Sequence, residues 1–216
     1  MRWLVGLVAA LIASRVAGRI VILEKENKPS PDLGDAVLYL EGPTGETVSA
    51  RPVTVEIAIT DKTYAPHVVV IPAGSTVRFP NHDPFNHNVF SLSEGNQFDL
   101  GLYGRGEAKS YTFTHAGLVR VYCNVHPRMV AYVLVMANRY YAQPGTDGSF
   151  AIDNVPPGRY RLHVWHERIP AEVVKDVAAG GGEDLQIALN ARGYRWQPHR
   201  NKYGKNYPTN AGRERY

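Results

Sequence analysis

The sequence predicts an all-β protein, and two features of the chain support this prediction. Aromatic and β-branched residues are plentiful, and 20 glycines and 15 prolines interrupt the chain throughout. Apolar and polar residues alternate in several short segments, whereas no segment after the N-terminus shows sustained helical periodicity. The length of 216 residues allows one large core or two modest ones.

Residues 1–18 have the composition of a signal peptide. Arg2 is the basic start, residues 3–13 form a short apolar core, and the small residues Ser14 and Ala17 are candidate cleavage positions. The apolar run is too short to span a bilayer comfortably. We therefore expect export, to a bacterial periplasm, and an uncleaved N-terminal anchor is the alternative. An oxidising compartment suits a chain whose single cysteine has no partner for a disulfide.

Several strands are predicted along the chain. Residues 20–23 and 36–40 form two short apolar runs, joined by a turn-rich segment. Residues 53–60 alternate between apolar and polar positions, which is typical of a half-buried strand. Val77 and Phe79 do the same before Pro80 ends their strand. These strands precede the segment that carries the most informative pattern.

That pattern consists of side chains that can bind a soft metal ion. The four are His87, Cys123, His126 and Met129. Val119, Val121 and Cys123 alternate with polar neighbours, so the thiol falls on the apolar face of a strand. A tight turn follows, restricted by Pro127, and residues 130–136 return across the sheet. Two imidazoles and one thiolate with a weak axial thioether are the donors of an electron-transfer copper site.

Each donor has an ordinary alternative role. A buried cysteine is usually a small hydrophobic residue, Met129 alone is more typical of a core, and His126 alone of a surface turn. The joint spacing favours a metal. Zinc is the main competitor because it also binds cysteine and histidine. The methionine fits copper better, since thioethers are soft ligands.

Other histidines are weaker candidates. His82, in the ligand loop, is a candidate for a fifth ligand or for a residue at the entry to the metal site. The alternative is an ordinary loop residue. His163 and His166 lie three positions apart, so they face opposite sides of a regular strand. They would form a second metal site only if the strand breaks at Trp165.

The segment Cys123-x-x-His126-x-x-Met129, with His87 and Asn88 upstream, resembles the amicyanin and plastocyanin type of cupredoxin. Residues 111–117 are similar to the strand that precedes the cysteine strand in that family. The resemblance covers residues 53–136. It implies a Greek-key β-sandwich holding one type 1 copper that alternates between Cu(I) and Cu(II). It further implies that the two histidines and the cysteine are equatorial ligands and that Met129 is the axial ligand.

A second β-sandwich is predicted from residues 137–190. The segments TDGSF (146–150) and VPPGRY (155–160) resemble the carboxypeptidase regulatory-like domain, a small transthyretin-like or Ig-like sandwich. Such domains are scaffolds or docking modules, so the resemblance implies no catalysis. Asp147 and Gly148 predict a hairpin turn between residues 140–141 and 150–152.

The strands of that segment are too few for a stable sandwich. We therefore expect residues 19–52 to supply the missing strands, with the cupredoxin domain inserted between the two parts. The arrangement resembles bacterial plastocyanin-like proteins that carry the label methylamine utilisation.

Residues 191–216 form a tail rich in basic and aromatic residues. Its cations, opposed only by Glu214, are Arg192, Arg195, Arg200, Lys202, Lys205, Arg213 and Arg215. A solvated terminus is one interpretation. The other is contact with an acidic redox partner or an anionic membrane surface, with some of the aromatic residues packed on the second sandwich. Nucleic-acid binding does not suit an exported copper protein.

The sequence favours electron transfer over catalysis. Four donors leave no open position for a substrate, and neither a paired His-x-His motif nor a Ser/His/Asp or phosphate-loop pattern is present. We therefore expect a one-electron carrier that is not an enzyme. A copper carrier or metallochaperone, and a cell-envelope interaction module with structural copper, are the alternatives.

Overall fold

A computed structural model describes residues 14–25, 30–42 and 49–208. These residues form strands and one short 3₁₀ turn at Leu33–Asp35, so the prediction of an all-β protein is confirmed. Among them, no helix is long and apolar enough to cross a membrane. The strands are β1 (Ser14–Leu23), β2 (Val37–Glu41), β3 (Thr54–Glu56), β4 (Ala58–Thr60), β5 (Thr63–Ala65), β6 (Val68–Pro72), β7 (Ser75–Pro80), β8 (His87–Ser91), β9 (Phe98–Tyr103), β10 (Ala108–Phe113), β11 (Gly117–Cys123), β12 (Val130–Met136), β13 (Tyr141–Ala142), β14 (Ser149–Val155), β15 (Gly158–Trp165), β16 (Val173–Ala179) and β17 (Asp184–Asn190).

The chain divides into two compact units. The first unit combines residues 1–46 with residues 140–193, and the second combines residues 47–139 with residues 194–216. Each unit has its own buried apolar core.

The first unit is a pair of sheets formed from both parts of its sequence. One sheet has the order β14-β1-β17 and the other β13-β2-β15-β16. Strand β1 runs antiparallel to β14 and parallel to β17, with Ile20 beside Ile187. Ile20, Leu40 and Leu162 are fully buried in the core. The early strands therefore complete the sandwich formed by residues after 140.

The second unit contains a five-stranded sheet of order β6-β12-β11-β8-β9 and a three-stranded sheet of order β10-β7-β3. Alternate residues of β7 and β11 fill the core, and Val77, Phe79 and Val121 have no exposed surface. The predicted single strand over residues 53–60 is divided in two at Ile57, whose N–H donates to the carbonyl of Arg78. It divides because β3 pairs with β7, whereas β4 pairs with β5.

The predicted limit of the signal peptide at residue 18 does not fit the observed strand. Residues 1–13 lie outside the described residues, but β1 begins at Ser14 and Val16 is buried in the core. Ala17 and Gly18 pair with strands on both sides. Cleavage after Gly18 would therefore remove half of β1, and only a cut close to or before Ser14 leaves the strand complete.

The turn at residues 147–148 exists, but the predicted hairpin is wrong. Gly148 has a φ of +81°, and a Cβ there would lie 2.3 Å from the carbonyl oxygen of Ile20, so only glycine fits. The strands on either side do not pair with each other. Strand β13 pairs with β2, and β14 pairs with β1. The turn therefore joins the two sheets of the sandwich.

Candidate metal centre

The candidate ligands come together where three strands of the second unit end or begin. Cys123 is the last residue of β11 and pairs with Val89 of β8, whose first residue is His87. The following loop is closed by two backbone hydrogen bonds. The N–H of Met129 donates to the carbonyl of His126 at 3.2 Å, and the N–H of Cys123 donates to the carbonyl of Met129 at 3.3 Å. Backbone pairing therefore fixes where each donor lies.

The donor atoms have the spacing of a metal site. The Nδ1 atoms of His87 and His126 each lie 3.7 Å from Sγ of Cys123. Bonds of about 2.0 Å to nitrogen and about 2.3 Å to sulfur that meet at about 120° would place the two donor atoms about 3.7 Å apart. The three donors lie within 4.8 Å of one another, and no other group of three candidate ligands occurs in the described residues.

The pocket is closed to solvent. His87 and Cys123 are fully buried, Met129 is 1% exposed and His126 is 5% exposed. The N–H of Val125 points at Sγ of Cys123 at 3.4 Å. Burial raises the pKa of the Cys123 thiol, while the backbone N–H groups of Asn88, Val125 and His126 partly offset this by favouring the thiolate. A metal ion would complete the stabilisation of that thiolate.

The sequence of the second unit matches a known family. Residues 52–136 match the family model for copper binding proteins of the plastocyanin/azurin family. They form a cupredoxin domain. The cluster of His87, Cys123, His126 and Met129 matches a type 1 copper site.

Solved structures similar to part of the chain include a cupredoxin, an amicyanin and a copper-containing nitrite reductase. A purple cupredoxin from Nitrosopumilus maritimus is 26% identical, covers 38% of this chain and 99% of its own, and has a TM-score of 0.35. A mutant amicyanin is 25% identical over 38% of this chain and 81% of its own, with a TM-score of 0.36. A copper-containing nitrite reductase from Thermus scotoductus is 24% identical over 54% of this chain and 28% of its own, with a TM-score of 0.36. No curated protein matches the chain.

Residues 131–183 match a second family model, that of domain II of polysaccharide lyase family 4. The chain therefore contains a fibronectin-type-III-like β domain in addition to the cupredoxin domain. The family found here is a different one from the carboxypeptidase regulatory-like family expected from the turn motifs, although both are small β-sandwiches.

Burial favours the neutral form of the two candidate ligand histidines, His87 and His126. Burial lowers the pKa of His126 to about 4, with further contributions from His87 and Lys62. Burial also lowers the pKa of His87, although Asp83 partly opposes the shift. Neutral imidazole is the form that binds metal, so neither ring must lose a proton to do so at neutral pH.

Asp83 hydrogen-bonds the second ring nitrogen of His87, a contact that was not predicted from the sequence. Its Oδ2 lies 2.8 Å from Nε2 of His87, and its carboxylate accepts the N–H groups of Asp61 at 2.6 Å and Lys62 at 2.9 Å. Burial would raise the pKa of Asp83, but these hydrogen bonds outweigh it and hold the pKa below its usual value. The carboxylate fixes Nε2 as the protonated nitrogen and leaves Nδ1 for the metal. An aspartate four residues before the first ligand is the signal that could have revealed it.

The other histidines have separate partners. His82 is exposed, and its N–H donates to the carbonyl of Ile59. His163 contacts the carboxylates of Glu41 and Glu172, at 3.0 and 3.2 Å. His166 lies after the end of β15 with Nε2 3.3 Å from the carbonyl of Asp32. The break after Trp165 therefore does not bring the two histidines to a common site.

Part of the basic tail lies against the copper-ligand loop. We call residues 194–208 the strap. The hydroxyl of Tyr207 donates to the carbonyl of Cys123 at 2.7 Å, and the N–H of Lys202 donates to Oδ1 of Asn124 at 3.0 Å. Trp196 lies under the guanidinium of Arg128 at 4.8 Å. The aromatic residues expected on the second sandwich thus contact the cupredoxin domain.

Proposed function

We propose that the protein is a one-electron carrier whose cupredoxin domain holds a single type 1 copper. His87, Cys123 and His126 are its equatorial ligands and Met129 its axial ligand. The observation that supports this most strongly is the pair of 3.7 Å distances from Sγ of Cys123 to the two Nδ1 atoms, in a pocket closed to solvent.

The residues around the site suit electron transfer because they hold the donor atoms in a fixed geometry. Copper supplies a centre that gains and loses one electron, while the chain holds its donors still. His87 begins a strand, Cys123 ends one, and the loop between Cys123 and Met129 is closed by its own backbone bonds. A site that is fixed in one geometry needs little rearrangement when its charge changes. Four protein donors leave no strong position for a substrate, so we propose no catalysis at the metal.

The location and partners are part of the same proposal. Export to a periplasm would bring the carrier into an oxidising compartment, and a redox protein would be its partner. The fibronectin-like unit would serve as a scaffold or docking module, as its resemblance to the carboxypeptidase regulatory-like domain implies.

Copper loading of the purified chain tests the proposal directly. One equivalent of Cu(II) should give intense thiolate-to-copper absorption and the narrow EPR hyperfine splitting of a type 1 site. Voltammetry should show one reversible electron per protein. Cys123→Ser should lose the intense absorption, because a serine oxygen cannot supply that charge transfer, and the circular dichroism of the metal-free variant controls for folding.

Three outcomes separate the alternatives. Ready loss of copper to a chelator during redox cycling would favour the copper carrier. A bound but redox-silent ion would favour a structural role. A Cys123→Ser protein that stayed intensely coloured would defeat the ligand assignment.

A further inference from the structure

We infer that the strap, and not the edge of His126, is the surface through which this carrier exchanges electrons, and that it fits an acidic redox protein. The inference rests on the proposed electron-carrier function. It concerns where the electron leaves the cupredoxin domain and what chemistry the partner must present.

The edge of His126 is closed. The residue is only 5% exposed, and its Nε2 atom is buried without a hydrogen-bond partner among the described residues. The ring of Phe85 lies 5.7 Å from that of His126, and Lys62 lies over Phe85 at 4.8 Å. A partner cannot reach the imidazole edge without displacing these side chains.

The strap instead makes direct contact with the residues covalently closest to the metal. Tyr122 is bonded to Cys123 through the peptide, and its ring stacks on that of His199 with centroids 4.3 Å apart. The rings of His199 and Tyr207 are 5.3 Å apart, and the Tyr207 hydroxyl reaches the Cys123 carbonyl at 2.7 Å. Two short connections therefore run from the cysteine ligand into the strap.

The strap is anchored on its inner side. Lys202 extends its ammonium to Asp99 at 2.6 Å, and its N–H bonds to Asn124. The chain then turns sharply, since the N–H of Gly204 donates to the carbonyl of Asn201 at 2.8 Å. A segment held in this way is already ordered before binding. Less conformational entropy is therefore lost when a partner docks.

The outer side of the strap is positively charged and partly aromatic. Arg195, Arg200 and Lys205 are exposed and form no ion pair with any described residue. Residues 194–208 contain no aspartate or glutamate. Tyr203 is 71% exposed and Trp196 39% exposed. Uncompensated cations around exposed aromatic rings complement an acidic surface. They raise the rate of association with an acidic partner at low salt.

Charge-reversal variants provide the test, in the full chain loaded with copper. Arg200→Glu and Lys205→Glu change the strap, and Arg51→Glu is the matched control. Arg51 is exposed and lies two residues before Val53, whose N–H donates to Oγ of Ser75, the first residue of β7. The metal site lies at the other end of that strand, about 16 Å away. All three variants change the net charge by the same amount.

Stopped-flow oxidation of the reduced protein measures the effect with two probes of opposite charge. In each reaction the Cu(I) site gives one electron to the probe, either the anion hexacyanoferrate(III) or the cation tris(phenanthroline)cobalt(III). At 10 mM ionic strength, each strap variant should slow the reaction with the anion by about tenfold and speed that with the cation. Arg51→Glu should change either rate by less than about twofold, and added salt should remove the differences.

Equal effects of the strap variants and Arg51→Glu would show that only net charge matters and would overturn the inference. Rates insensitive to all three would overturn it as well. Binding of the strap to vesicles containing phosphatidylserine, without any effect on the electron-transfer rates, would assign the strap to a membrane surface instead. Failure of the proposed function is distinguishable, because a protein without reversible copper redox chemistry would react with neither probe.

Discussion

Replacement of Asp83 by asparagine should raise the reduction potential of the copper site. The Asp83 carboxylate lies 2.8 Å from Nε2 of His87, which places its charge about 7 Å from a metal bound at Nδ1. At an effective dielectric constant of about 20, a unit charge at that distance contributes about 2.4 kcal/mol. The carboxylate favours the oxidised ion, which has one more positive charge. Its loss should therefore raise the potential by about 100 mV for this one-electron couple.

Protein-film voltammetry of Asp83→Asn at pH 7 measures this shift, and the optical spectrum reports whether His87 still binds. Glu94→Gln is a matched control, because Glu94 is an exposed carboxylate in the loop beyond the far end of β8. Solvent screening should keep its effect below about 10 mV. A potential for Asp83→Asn that falls, or that rises by less than about 20 mV with an unchanged spectrum, would refute the electrostatic reasoning.

Three further predictions concern the axial donor and the first unit. Met129→Leu should keep a coloured site and raise its potential by about 60 mV, because losing a weak donor favours Cu(I). Met136→Leu, at the other end of β12, should not raise the reduction potential. Equal shifts in potential for the two variants, measured by voltammetry, would contradict this prediction. Arg168 pairs with Glu24 and Asp32, each at 2.6 Å, so Arg168→Met should destabilise the first unit by about 3 kcal/mol in denaturant titrations. Burial would raise the pKa of Asp32, but Ser30 and Arg168 hold it lower, so its stabilising contribution is present above about pH 4 and disappears as pH falls through its folded pKa. Arg168→Met should lose less stability than the wild type as pH falls from 5 to 2, because Arg168 no longer helps to hold the pKa of Asp32 low. Identical acid titrations of the two proteins would contradict this.

The parts of the molecule that were predictable from sequence depend on short-range patterns. The alternation of Val119, Val121 and Cys123 gives their common burial directly, because successive residues of a strand face opposite sides. The spacing of Cys123, His126 and Met129 falls within one loop, so local geometry decides where the donors lie. The same logic extended correctly to Val77 and Phe79, the inward-facing residues of β7.

The parts that were not predictable depend on contacts between distant residues. Asp83 contributes through a hydrogen bond to His87 that no pattern of apolar residues reports. The turn at Gly148 has the composition of a hairpin, but pairing with β1 and β2 decides where its flanking strands go. The strap is polar and aromatic without periodicity, and its position follows from individual contacts such as that of Tyr207 with Cys123.

The order of strands in the first unit determines the order in which the chain can fold. In this unit Ile20 pairs with Ile187, and Tyr39 of β2 pairs with Tyr141 of β13. Strands β1 and β2 come long before their partners in the chain, whereas all the strands of the cupredoxin domain follow one another within residues 54–136. We expect that domain to fold first, while the early strands wait with unpaired edges. Unpaired strand edges promote aggregation, so we expect the first unit to be the part of the chain most exposed to aggregation during folding.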